Sequence, residues 1–384
     1  MHTVIVGGGV VGLASAYYLA DRGASVTVCE AGSIGGGSTG RSAGGVRAQF
    51  STPVNVDLSR ESVRVWESFE AEFGVDIGYR QSGYLFLARD GATADAFREQ
   101  VTMQNDRGVP SELLSPADLR ERWPAIDADQ FVAATYCSED GFADPHLALQ
   151  GFSTAASEAG AEIRTNAPVT GIDADGAADA GVTVRTPDAR IDADYVVNAA
   201  GAWAGRVAEL AGLDLPVSPR RRQLAVVEPA RAVPGTDPLT IDLDRGSYFR
   251  PERDGRALVG GHFDDADPDV DPDRYDDSMD LDWAATAVEC AADYADYFGP
   301  ETGVVRGWAG LYAVTPDHHP VMEESAPGVV TAAGFSGHGF QHAPATGQIV
   351  ADLCLDGETS LVDVSALSSD RFEDGDLVDE RNVA

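Results

Sequence analysis

Three glycines, Gly7, Gly9 and Gly12, constrain this chain more than any other feature. They lie between an apolar run, Thr3-Val4-Ile5-Val6, and a stretch from Leu13 to Arg22 with apolar residues at Leu13, Ala16, Tyr17 and Ala20. The run reads as a buried strand and the stretch as a helix that Gly23 stops. Gly7 permits a tight turn, Gly9 lets backbone approach a pyrophosphate, and Gly12 lets helix and strand pack closely. Val10 and Val11 open the helix, whose free N–H groups and positive dipole end favour an anion. A second strand, Ser25 to Cys29, delivers Glu30 and Ala31. Glu30 stands 18 residues after Gly12, where a carboxylate accepts hydrogen bonds from ribose hydroxyls. Strand, helix and acid in register point to a dinucleotide site. Glu30 would repel a 2′-phosphate, which argues against NADP.

Residues 32–47 then form a loop rich in glycine and serine. Inside a compact domain such a loop serves as a ligand cradle rather than a linker. Two more glycine-rich turns end strands at Gly201 and Gly334. Three cradles suit a long, extended cofactor ending in a large flat ring, because backbone N–H groups can reach both its diphosphate and its ring edge.

Composition removes other functions. Sixty-three acidic residues face 27 basic ones, a formal charge of -36. Phosphate backbones and anionic lipid need a cationic face, so nonspecific nucleic-acid binding is excluded and docking on anionic lipid is disfavoured; no nucleic-acid partner and no membrane insertion are expected. All 27 basic residues are arginine, which rules out Schiff-base, Walker-type or general-base lysines. No apolar run approaches the ~18 residues of a membrane helix. Cys29, Cys137, Cys290 and Cys354 have no metal-ligand spacing and read as buried thiols in a reducing compartment. The chain opens straight into a strand, and the expectation is a cytoplasmic protein. No metal site is expected: His318-His319 and His338/His342 lack completing ligands, and the Asp264–Asp282 run reads as a solvated acidic surface.

The motifs also carry a family resemblance. IVGGGVVG at 5–12, CEAGSIGGGSTGRSAGG at 29–45, NAAGAWA at 198–204, GWAGLYAVTPDHHPVM at 307–322 and GFSGHGFQHAPATG at 334–347 resemble the D-amino-acid oxidase, glycine oxidase and sarcosine oxidase family of FAD enzymes. The similarity leans toward sarcosine oxidase β-subunit-like amine dehydrogenases. It implies an α/β plus α+β fold. A Rossmann-like FAD-binding domain would be built from 1–75, 143–213 and 306–384. A substrate domain with a large mixed or antiparallel sheet would be built from 76–142 and 214–305. By the same resemblance Ser38, Ser42, Ala43, Gly44 and Gly45 lie along the cofactor, and Val169 meets the adenine. Ala200, Gly201, Trp203 and Gly310 pack near the ring system. Gly337, His338, Gly339, Phe340 and Gln341 border its pyrimidine end, where a helix from about Ala343 aims its positive end.

Departures from the family are informative. Gly310 stands where monomeric sarcosine oxidases carry a flavin-tethering cysteine, and the first loop lacks the histidine that tethers flavin in dimethylglycine dehydrogenases. Noncovalent FAD is therefore expected. Tyr312 replaces the arginine of glycine and D-amino-acid oxidases, and Gln341 replaces a carboxylate-binding lysine. Arg47 is the first candidate for the substrate carboxylate, with Arg250 and Arg222 behind it. Tyr312, Tyr248 and His262 are candidates for orienting the amine or taking its proton. Leu258 stands where an oxygen-activating lysine would sit, so an electron acceptor other than oxygen is expected.

These observations imply oxidation of the C–N bond of a small amino acid or secondary amine (sarcosine, proline or dimethylglycine-like) by hydride transfer to flavin N5. The alternatives are a D-amino-acid dehydrogenase or glycine oxidase-like enzyme, and a flavin-binding subunit without turnover of its own; an oligomer or complex fits either. The charge density also suggests a salt-rich, halophilic setting, since molar salt shortens the Debye length to ~3 Å and screens the self-repulsion. The thermal midpoint should then rise with salt, and a melt indifferent to salt would refute the idea.

Overall fold

The structure is a computed structural model that describes residues 1–174, 181–264, 266–375 and 377–383. Strand His2–Val6 pairs in parallel with Ser25–Cys29 on one side and Tyr195–Asn198 on the other. Glu162–Arg164 and Val329–Ala333 extend this parallel sheet outward, and Val321–Ala326 closes one edge antiparallel. The result is a six-stranded sheet.

A parallel sheet needs cover on both faces. Helices Val10–Asp21, Pro145–Glu158 and Gly339–Asp356 supply one cover, through Leu13, Ala16, Phe152, Ala343 and Val350. The first and last of these helices approach closely at Gly347, where a Cβ would stand 2.7 Å from the Ala14 carbonyl carbon. The other cover is an antiparallel sheet of Gly171–Asp173, Val182–Arg185 and Arg190–Ala193, which sets Ile172, Val184 and Ile191 against Val4, Val6 and Val196.

The second large sheet has eight strands. Its order is Gly303–Val314, Ser218–Glu228, Ala257–Gly261, Ser247–Pro251, Leu239–Asp242, Tyr84–Ala88, Ala133–Cys137 and Glu112–Leu114. Only Leu239–Asp242 and Tyr84–Ala88 run parallel. Period-two alternation divides Tyr84–Ala88 between two clusters: Leu85 and Leu87 join Phe249 and Tyr294, whereas Tyr84, Phe86 and Ala88 join Phe97 and Ile241. Residues 306–314, grouped by sequence with the cofactor segments, are hydrogen-bonded into this second sheet. The α+β architecture expected from the motifs is what the chain adopts.

The polar C-terminal segment packs on the fold: Glu380 and Asn382 are buried. Nearby, Arg371 donates through Nε to Asp317 at 2.7 Å and also to the carbonyls of His319, Pro320 and Ser368. The Asp317 side chain is only 2% exposed. Arg371→Ala leaves that carboxylate buried without its partner and should destabilise the fold by about 3 kcal/mol or more, read by chemical denaturation.

Candidate cofactor and substrate site

Between the two large sheets lies a cavity of about 1000 Å³. Its dinucleotide part is built from backbone. Gly7 has φ +114°, and a Cβ there would stand 2.5 Å from the Ala199 carbonyl oxygen. A Cβ at Gly12 would stand 2.0 Å from the Gly7 oxygen, so no side chain fits at either position. Helix Val10–Asp21 begins at Gly9 without a side-chain cap. The Val10 N–H donates to Thr39 Oγ1 at 3.1 Å. Glu30 accepts from the N–H groups of Gly8 at 2.7 Å and Gly32 at 2.8 Å, which ties the strand end to both glycine turns.

Gly7, Gly9, Val10, Val11, Glu30, Ala31, Ser38, Ser42, Ala43, Gly45, Val169, Ala200, Gly201, Trp203 and Gly310 all line the cavity. Gly12 and Gly44 do not. Gly12 serves the helix–strand contact. Gly44 turns the loop at φ +75°, where a Cβ would meet the Ala143 oxygen at 2.0 Å.

A second helix start faces the same space. Gly339–Asp356 begins four residues before the expected Ala343, with His338 as its N-cap and no side-chain cap bond. Gly337, at φ +98°, lies so close to Tyr312 that a Cβ would stand 2.3 Å from the ring. Gly337, His338, Gly339, Phe340 and Gln341 line the cavity. The hydrogen-bond network assigns the imidazole tautomers. His338 Nε2 donates to the His318 carbonyl at 2.9 Å, so its Nδ1 accepts from His342 Nδ1 at 3.2 Å. His342 Nε2 then accepts from Ser59 Oγ at 2.8 Å. Burial pushes both imidazoles below their ordinary range, so both are neutral.

Arg47 is buried and lines the cavity. Its guanidinium lies 3.8 Å over the Phe50 ring and donates to the carbonyls of Gln49 and Asn382. Among the described residues its charge is answered at longer range by Glu380 and Asp140, not by a salt bridge. Its backbone N–H donates to Gln341 Oε1 at 2.8 Å, which leaves the Gln341 amide nitrogen as the donor. Asp140 holds this loop by accepting from Ala48 N at 2.7 Å and Gln49 Nε2 at 3.0 Å. Burial raises the Asp140 carboxyl to about 6.

Tyr312 and Tyr248 also line the cavity, with Arg222 over the Tyr312 ring at 5.4 Å. Burial raises both phenols, against the lowering effects of Arg222 on each, so both are hydrogen-bond donors and not bases at neutral pH.

Two candidates lie elsewhere. His262 does not line the cavity; it sits at the end of strand Ala257–Gly261, half-buried, 3.9 Å from Asp267. Arg250 is committed to the Ala43 carbonyl at 3.1 Å and to Glu252 at 3.3 Å. Further wall residues carry no motif in the sequence. Tyr84, Leu239 and Ile241 come from strands whose central position shows only in the folded sheet, and Asn382 and Val383 come from the C-terminal segment.

The acidic run is largely exposed, as expected, and most of its aspartates are tied to arginines. Asp267 is held by Arg222, Asp269 by Arg220, Asp271 and Asp273 by Arg206, Asp277 by Arg41 and Asp280 by Arg221. Trp203 Nε1 also donates to Asp273 at 2.7 Å. Residue 265 lies outside the described residues.

The family model for FAD dependent oxidoreductases matches residues 2–353. A Xenopus laevis protein, FAD-dependent oxidoreductase domain-containing protein 1, is 34% identical over 99% of this chain and 84% of its own. Mitochondrial dimethylglycine dehydrogenase of Rattus norvegicus is 29% identical over 97% of this chain. The alignment covers 45% of that enzyme, so the chain spans under half of its length. The crystal structure of L-proline dehydrogenase from P.horikoshii superposes with a TM-score of 0.88 at 33% identity, covering 98% of this chain and 99% of that one. The expected cytoplasmic location is overturned by these relatives, since the named dehydrogenases among them are mitochondrial. Among the described residues no helix is long and apolar enough to cross a membrane.

Glu30→Ala would strand the Gly8 and Gly32 N–H groups. Each bond to a charged acceptor is worth about 1.5–3 kcal/mol, so dinucleotide affinity should fall at least tenfold, measured by cofactor titration of the apoprotein.

Proposed function

Since the chain belongs to the FAD dependent oxidoreductase family, we propose that it oxidises the C–N bond of a small amino acid or N-alkyl amino acid of the sarcosine, proline or dimethylglycine type. The residues fit the cofactor. Two uncapped helix starts, glycine turns that exclude any Cβ, and Glu30 at the strand end together suit an adenine dinucleotide carrying a flat ring. Noncovalent attachment is supported by Gly310, where a Cβ would already stand 2.9 Å from Arg41 Cβ, and by a first loop without histidine. Bound there, FAD would supply the acceptor for a hydride from the carbon beside nitrogen.

The observation that carries the reading is Arg47, a buried cation on the cavity wall without a carboxylate partner. A substrate carboxylate answers that charge. The Gln341 amide nitrogen and the Tyr312 hydroxyl, backed by Tyr248, supply neutral donors beside it. Tyr84, Leu239 and Ile241 offer an apolar wall for the rest of a small substrate. The lack of any lysine supports an electron acceptor other than oxygen, so peroxide should form far more slowly in air than flavin is reduced.

Anaerobic mixing with sarcosine, proline and dimethylglycine tests the reaction: the flavin band near 450 nm should bleach with at least one. Bleaching by none of them, nor by glycine or D-alanine, would remove the proposal. Arg47→Gln should raise the half-saturating substrate concentration by roughly thirtyfold or more, as expected for loss of a desolvated charge partner.

Among the described residues, the imidazole and phenols at the substrate end of the cavity offer no base that titrates near neutrality. His338 and His342 are held neutral by burial, and the phenols stay protonated. The substrate amine must therefore arrive without its proton. kcat/KM should rise with pH and level off at the amine's own pKa, so two substrates of different basicity should give displaced inflections. An inflection common to both would point to an enzyme group instead.

A further inference from the structure

The segment 377–383 has an attachment that the reaction itself does not require. Leu377 and Val378 are 43% and 66% exposed, so apolar burial at these two residues does not hold it. Polar bonds do. Asp379 pairs with His318 Nδ1 at 2.8 Å, and the Glu380 N–H donates to the Asp317 carbonyl at 3.0 Å. Glu380 is 1% exposed. Its Oε1 accepts from Ser51 N at 2.8 Å, Ser51 Oγ at 2.6 Å and Asn382 N at 3.1 Å. Its Oε2 accepts from Thr52 N at 3.1 Å, Thr52 Oγ1 at 2.7 Å and Asn55 Nδ2 at 3.1 Å. These donors surround the first turn of helix Pro53–Phe73, whose N-cap residue Thr52 makes no cap bond of its own. A carboxylate with every lone pair occupied at a helix start can stay ionised although buried.

Two residues beyond this anchor, Asn382 meets the substrate end of the cavity. Its carbonyl accepts from Arg47 Nη2. Its amide nitrogen donates to the Gln49 carbonyl at 3.2 Å and Gln100 Oε1 at 3.1 Å. The Gln49 carbonyl is also the acceptor for Arg47 Nη1. Both carbonyls that aim the guanidinium are thus fixed through Asn382, and Asn382 and Val383 themselves line the cavity.

We propose that segment 377–383 is a specificity element of the substrate site: Glu380 clasps it to the start of helix Pro53–Phe73, and through Asn382 it fixes the aim of Arg47 and closes the wall beside it. The proposal rests on Arg47 as the carboxylate partner. Glu380 is a positioning residue, since it acts through Asn382 and touches no reacting atom. The clasp sets which carboxylates are accepted and leaves the flavin end alone.

The test uses the FAD-loaded full chain beside Glu380→Gln, Glu380→Ala and a chain lacking residues 377–384. The probes are acetate and benzoate, read by their perturbation of the flavin spectrum, so the assay does not need turnover. Flavin content should be unchanged. The acetate Kd should rise roughly tenfold in Glu380→Ala, with Glu380→Gln between it and the parent. In the shortened chain benzoate should gain on acetate, because the wall that excludes bulk is gone. With the amine that bleaches the parent, KM should rise while the limiting reduction rate stays within roughly threefold. Unchanged acetate affinity and an unchanged benzoate-to-acetate ratio in the shortened chain would overturn the proposal. Loss of flavin from the variants would overturn it too, by making the segment a support of the cofactor fold. A parent protein that binds acetate but is bleached by no amine would sink the proposed reaction while still deciding this one.

Discussion

Backbone touching backbone is the constraint on which the site depends. At Gly7 and Gly12 the strand end and the first helix start are closer than any Cβ allows, and the uncapped helix start faces the cavity as a consequence. Gly337 repeats the solution at the other sheet, with Tyr312 in the place a side chain would need. Each contact sets a helix start whose N-cap residue makes no side-chain cap bond against the same cavity. An anion or an electron-rich ring edge answers both. Side chains such as Glu30 and Thr39 tune this arrangement by binding the same turns, but they do not create it.

Charge is handled differently at the surface and inside. Outside, arginines tie the acidic run across the face that carries Trp203 and Arg41, in pairs that are partly exposed and individually weak. Inside, Arg47 is shielded from water yet paired only with carbonyls and an aromatic face. The longer-range fields of Glu380 and Asp140 offset part of what burial costs this cation. The two carboxylates also hold backbone: Asp140 binds residues 48–49 and Glu380 binds residues 51–52. The electrostatics and the shape of the loop around Arg47 are therefore one arrangement.

Legibility in the sequence followed how local the determining forces are. Strands His2–Val6 and Ser25–Cys29 and the helix between them were readable because glycine turns and hydrophobic period act over a few residues. The same holds for Arg47, Tyr312 and Gln341, which sit in motifs that fold next to the cofactor cradle. Strand Gly303–Val314 was not recognised as a twelve-residue strand. Its three glycines weaken the pattern, and its pairing with Ser218–Glu228 supplies the missing order from a distance. His262 was misplaced for a related reason. Gly261, at φ +151° and backed by Phe263, bends the chain at the strand end, and the imidazole goes to Asp267. The polar composition of the C-terminal segment gives no local sign of packing; its order comes from donors more than 300 positions earlier in the chain.

Among the described cavity residues Arg41, Arg206 and Arg222 are paired with aspartates, which leaves Arg47 as the cation without a carboxylate partner, beside several neutral donors. In the proposed reaction that combination would discriminate between forms of the same substrate. An amino acid in water carries both a carboxylate and an ammonium, and Arg47 favours the first while repelling the second. The neutral imidazole of His338, the protonated phenols and the apolar wall offer the ammonium no counter-charge. On the proposed reading, the anion with a free amine is the form that fits, and its nitrogen lone pair would support departure of hydride from the adjacent carbon. Burial would then act twice in that reading: it would strengthen the hold on a carboxylate and disfavour the protonated amine.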